Sequence, residues 1–265
     1  MRRLHTLILF LATFFIALPA MAQDAANIGI VIMHGKGGRP GALVNVLADG
    51  LQSKGYKVAN IEMPWSGKRA YDVDIAGADR EVDAAIAKLR AAGAAKVFVA
   101  GHSQGGVYAL HYAVKHPMDG LILIAPGGNV GTRFYQSKVG ASVARAREMI
   151  AAGKGKERGE FIDYEGSKPD ADIRTPADIY FTWFDPEGAM NQKKSAEALP
   201  ASLPVLYISP TNDYPGLRRT KSEMFNAMPS NPLTRLYEPD ATHRSAPADS
   251  LEEIARWTLE IAGKK

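Results

Sequence analysis

No cysteine occurs anywhere in the 265 residues. That excludes disulfides, thiolate metal sites, a cysteine nucleophile and a lipid-modified N-terminal cysteine. Beyond the first 22 residues no apolar run is long enough to predict a membrane span. Nor is there a marked excess of one charge: 32 lysines and arginines face 28 aspartates and glutamates, a net +4. This balance makes no case for nucleic acid as a partner. No cluster of His, Asp and Glu has metal-ligand spacing, and "GKGG" at 35–38 lacks the spacing of a phosphate-binding loop. Neither a metal nor another cofactor is expected. No internal repeat or linker-bounded second domain is visible.

The chain opens with "MRRLHTLILFLATFFIALPAMAQ". Arg2 and Arg3, an apolar core from Leu7 to Leu18 and the small-residue end Ala20-Met21-Ala22 form the pattern of a cleaved signal peptide. The core is shorter than the ~20 residues that a spanning helix needs. The expectation is an exported protein, periplasmic or secreted, with residues 1–22 removed and 23–265 forming one domain. Loss of the two arginines takes the net charge from +4 to about +2.

From there, short apolar runs alternate with helical periodicity. Strands are predicted at 28–35, 56–64, 95–101, 120–128, 203–210 and 233–239. Leu43, Leu47 and Leu51 mark a helix face, as do Ile75, Val82, Ile86 and Leu89, and Val107, Leu110 and Val114. Leu251, Ile254, Trp257 and Ile261 mark a closing helix with Asp249 or Ser250 as its cap. Near-continuous apolar strands between helices predict an α/β fold: a mainly parallel sheet of about six strands, helices on both faces, sites at the strands' carboxyl ends. One interval, about 129–202, breaks the rhythm and is too long to be structureless. It reads as a lid inserted over the strand ends. It holds a helical run, a charged piece "GKGKERGE" expected to be solvated and mobile, and an aromatic piece "IYFTWF".

Within "KVFVAGHSQGGVYALHYA", residues 96–113, Gly101-His102-Ser103-Gln104-Gly105 forms a G-x-S-x-G between a strand and a helix. A nucleophilic serine requires that setting, a sharp strained turn with flanking glycines that let strand and helix pass closely. The helix behind it directs unpaired N–H groups toward developing negative charge. Among the histidines, His111 and His116 lie two or more turns away along the following helix. His102 is expected to point away from Ser103, and His34 to pack its own loop. His243, just past the last strand, remains as the general base. Asp213, after the fifth strand, is the favoured partner of His243, with Asp240 as competitor. The N–H of Gln104 is one expected oxyanion donor.

These features resemble the α/β-hydrolase family over about residues 27–262, the insertion matching only in position. Ser103, Asp213 and His243 follow the family's order of nucleophile, acid and histidine. The resemblance implies that the backbone N–H of Lys36 in "HGKGG" is the second oxyanion donor, with Gly37 as the alternative. The Lys36 side chain is expected to be solvated. Two leading strands common in the family are expected to be absent. Trp65, Trp183 and Phe184 are candidates to line a substrate pocket. The implied activity is cleavage of a small-molecule carboxylic ester or thioester through an acyl-enzyme on Ser103. The rival readings are an acyltransferase or cofactor-free peroxidase on the same fold, and a non-catalytic binding protein.

Overall fold

The computed structural model describes residues 25–166 and 170–264; residues 1–22, where a signal peptide is expected, lie outside them. Six strands form one all-parallel sheet: β1 (Ile28–Met33), β2 (Lys57–Ile61), β3 (Lys96–His102), β4 (Gly120–Ile124), β7 (Val205–Ile208) and β8 (Arg235–Tyr237). Their order is β2-β1-β3-β4-β7-β8. All six fall where the apolar runs predict them.

Alternate side chains of each strand feed two cores. Val31, Met33, Val97, Val99, Leu121 and Leu123 pack under α2 (Ile75–Ala91) and α3 (Gln104–Lys115). Ile28, Ile30, Ile32, Phe98, Ile122 and Ile124 pack under α1 (Asn45–Ser53) and α9 (Leu251–Gly263) on the other face. Burial on both sides explains why β1, β3 and β4 are apolar almost throughout.

Between β4 and β7 the chain forms α4 (Arg133–Ala151), an antiparallel pair β5 (Arg158–Asp163) and β6 (Ala171–Pro176), α5 (Ala177–Phe184) and α6 (Gln192–Glu197). The end of the charged piece is therefore a strand, not a loose loop. Its order comes from alternation, since Gly159 and Phe161 turn inward while Arg158 and Glu160 face water. The Phe161 ring stacks on Tyr180 at 4.4 Å. Pro215 and Gly216 open α7 (Pro215–Ala227), where the fixed proline φ suits the first helical turn. A short α8 (Ala246–Asp249) precedes α9. Ser250 occupies the N-cap of α9, but its hydroxyl makes no capping bond. Among the described residues no helix is long and apolar enough to cross a membrane.

Candidate active site

Ser103 sits at the junction of β3 and α3 with φ 54 and ψ −118, a left-handed conformation that costs a residue with a Cβ about 1–3 kcal/mol. The neighbours are built around it. A Cβ on Gly101 would stand 2.0 Å from the Gly105 carbonyl oxygen, and one on Gly105 would stand 2.6 Å from that of Met33. The turn is therefore open only to glycine at both places. The Ser103 N–H donates to Ile124 O at 3.0 Å, and its carbonyl accepts from Gly106 N at 2.9 Å and Gly127 N at 3.0 Å. Strain at the serine is held by bonds on either side of it.

Asp213 and His243 come together because the loops after β7 and β8 run side by side. Asn212 and Thr242 form a parallel bridge, and Asn212 N donates to Ala241 O at 3.0 Å. His243 Nδ1 then lies 2.8 Å from Asp213 Oδ1. A carboxylate only accepts, so Nδ1 carries the proton and Nε2 is left with a free lone pair. The second lobe of support is Tyr214, whose N–H donates to Asp213 Oδ1 at 2.6 Å and whose ring lies 4.7 Å from that of His243. Asp240 is exposed and accepts instead from Asn212 Nδ2 at 2.8 Å, so the geometry favours Asp213 as the histidine's partner. Ser103 and His243 line one cleft of about 230 Å³, shared with the 34–39 loop, Tyr214 and Arg244.

That loop is fixed from beneath. His34 Nε2 accepts from Met63 N at 3.0 Å, which leaves Nδ1 to donate to Gly35 O at 2.8 Å. Burial holds the His34 ring below its ordinary pKa, which suits this neutral, packing role. The Gly37 N–H donates to Trp65 O at 2.9 Å and the Gly38 N–H to Gly35 O at 3.0 Å. With Gly37 committed, Lys36 is the better placed amide in the loop. Beside Gln104 N the space is kept by Gly127, where a Cβ would stand 3.3 Å from that nitrogen and 3.5 Å from Ser103 Oγ.

Two expectations need correction. Trp65, Trp183 and Phe184 are 2%, 1% and 2% exposed and do not line the cleft. Trp65 packs edge-on against Trp183 at 5.6 Å and donates its Nε1–H to His34 O. Trp183 donates to Val73 O at 2.8 Å, and Phe184 stacks on Tyr180 at 4.3 Å. An apolar segment near a site satisfies the hydrophobic effect equally well against protein as against ligand, and here it packs against protein. Second, the Lys36 side chain is not solvated. It is 10% exposed and paired with Asp163 of β5. A contact that the sequence does not reveal is made by His102, whose Nε2–H donates to the His243 carbonyl at 2.8 Å. It thereby holds the backbone that carries the candidate base.

Burial, reinforced by nearby His243, pushes the His102 ring down from 6.5 to about 4. The unfolded chain thus binds a proton here between these values that the folded chain excludes. The stability present above pH 6.5 is lost as pH falls toward about 4. Denaturation midpoints should drop through this window, and less steeply in His102→Gln, whose amide can still donate to the carbonyl. Equal slopes in the two proteins would contradict this assignment.

Comparison with solved structures finds the same architecture. A structure reported for the metagenome-derived lipolytic enzymes LipS and LipT is 20% identical, with TM-score 0.59 over 90% of this chain and 94% of that one. The monoacylglycerol lipase of Paleococcus ferrophilus is 21% identical, with TM-score 0.57 over 88% and 93%. A thermostable carboxyl esterase from Bacillus coagulans is 17% identical, with TM-score 0.60 over 88% and 90%. No curated protein sequence matches. The family model described as "Alpha/beta hydrolase family" aligns with residues 30–257, in keeping with the parallel sheet and the serine at a strand-to-helix turn, and this chain belongs to the α/β-hydrolase family.

Proposed function

We propose that the protein is an exported serine hydrolase that cleaves carboxylic esters or thioesters of small molecules. The observation that carries this reading is the placement of Ser103, at a strained turn, in one cleft with a histidine whose Nδ1 is held by a buried carboxylate at 2.8 Å. Family membership and the lipase and esterase neighbours support it.

In this mechanism Ser103 Oγ attacks the carbonyl carbon while His243 Nε2 takes its proton. The carbonyl π pair moves onto oxygen, where the N–H groups of Gln104 and Lys36 stabilise it. Collapse of the tetrahedral intermediate expels the alcohol or thiol, which takes the proton from His243 and leaves an acyl-Ser103. Water, deprotonated by His243, attacks that ester; the second tetrahedral intermediate expels Ser103 Oγ, which takes the proton back from His243, and the carboxylic acid is released. Asp213 holds the imidazole in the required tautomer throughout and stabilises its cation. Export rests on the N-terminal segment, and the insertion serves as the lid of the site.

The test is a screen of the mature protein over esters of graded acyl length, with Ser103→Ala as control. A cleft of about 230 Å³ is smaller than the ~300–1,000 Å³ usual for drug-sized ligands. Short acyl esters should therefore exceed long ones in kcat/KM by at least about tenfold. Activity that survives Ser103→Ala would refute the mechanism, and a long-chain preference would refute the small pocket.

A further inference from the structure

Around the side chain of Lys36, one of the two expected oxyanion donors, lies a polar cluster built largely from the insertion. Lys36 Nζ is paired with Asp163, donates to Tyr164 O at 2.9 Å and lies 3.4 Å from Tyr135 OH. It also stands 5.4 Å from the centre of the Phe184 ring. Tyr71 OH reaches the same Asp163 oxygen at 3.5 Å and accepts from Gln104 Nε2 at 3.1 Å. The side chains of Lys36 and Gln104, whose backbone amides are the two donors, thus end in one network.

We infer that Asp163, with Tyr71, is a positioning residue for the oxyanion site: through the side chains of Lys36 and Gln104, the insertion sets where both backbone donors stand. This rests on the serine-hydrolase reading above.

Three further observations support the inference. Tyr71 is fully buried with φ 55, a left-handed conformation a bulky residue keeps only when its surroundings enforce it. The enforcement comes from the insertion, since Thr175 Oγ1 donates to Tyr71 O at 2.7 Å and Trp183 Nε1 to Val73 O at 2.8 Å. Burial opposes the charge on Lys36. The oxygens of Tyr135 and Tyr71 and the Asp163 carboxylate, all facing the ammonium, outweigh it and raise the pKa well above the ordinary lysine value. The Lys36 ammonium therefore keeps its charge across the neutral range and serves as a fixed strut rather than a titrating switch. Lys36 and Asp163 are 127 residues apart in sequence, so the strut joins two parts of the chain that local structure does not couple.

The experiment compares wild type, Asp163→Asn, the double variant Lys36→Met/Asp163→Leu, and Tyr71→Phe for Tm, kcat and KM on one short ester. Breaking one side of a buried pair destabilises, whereas replacing both sides with apolar groups is often neutral or better. Asp163→Asn should lose both Tm and kcat. The double variant should recover Tm but keep kcat about 10–100-fold low, with KM within about threefold, because a donor acts on the transition state rather than on bound substrate. Tyr71→Phe keeps the ring packing and should lose kcat several-fold without a change in KM. Wild-type kcat in either the folded double variant or Tyr71→Phe overturns the inference, as does a loss confined to KM. Wild type that fails to react at Ser103 would instead overturn the hydrolase reading itself.

Discussion

Asp213→Asn is expected to lower kcat about 10⁴-fold while Asp240→Asn changes it by no more than a few-fold. The magnitude follows from the tautomer. Asp213 lies 2.8 Å from His243 Nδ1 and fixes the proton there. An asparagine amide can donate to Nδ1, which moves the imidazole proton to Nε2 and removes the lone pair that must accept from Ser103. In well-studied triads that exchange costs about 10⁴ in turnover with geometry intact. Asp240 is exposed and bonded to Asn212, so its loss should disturb only the turn. Steady-state kinetics on both folded variants, with circular dichroism as the folding control, decides between them. A larger loss at Asp240 would reverse the assignment.

The second large effect is expected at His243→Ala, a fall of about 10⁶-fold in kcat, comparable to removal of the whole triad. Nucleophile and base act as one unit, so adding Asp213→Asn to His243→Ala should cost little more. That non-additivity is itself the measurement. His102 is the natural control in the same cleft. It touches the His243 carbonyl but has no place in the proton path, so His102→Gln should retain most of wild-type turnover. If His102→Gln were as damaging as His243→Ala, the identity of the base would be in question.

The candidate site is legible in the sequence because each of its residues stands at a landmark that local patterns reveal. Ser103 lies between an apolar strand and an amphipathic helix, and Asp213 and His243 follow the last two strands. The glycines of the elbow can be read for the same reason, since a Cβ at Gly101 has no room. What surrounds the site was less legible. The insertion's strands hide in a charged stretch, where only the inward turn of Gly159 and Phe161 marks a pattern. Lys36 reads as a solvated lysine because its partner, Asp163, is remote in sequence. Tyr71 and Asp163 carry no motif at all. The aromatic segment around Trp183 announces burial, but hydrophobicity does not say whether protein or ligand will cover it. The bond from His102 to the backbone of His243 joins the end of β3 to a loop 141 residues away, which no local pattern reveals.

The central claim is that Ser103 is an activated nucleophile in the folded protein. It is tested most directly by exposing the mature protein to a fluorophosphonate and identifying the modified residue by peptide mass spectrometry. The account predicts near-stoichiometric labelling on Ser103, lost in Ser103→Ala and in protein unfolded before exposure. Labelling that persists in Ser103→Ala, or folded wild type that never reacts, would contradict it.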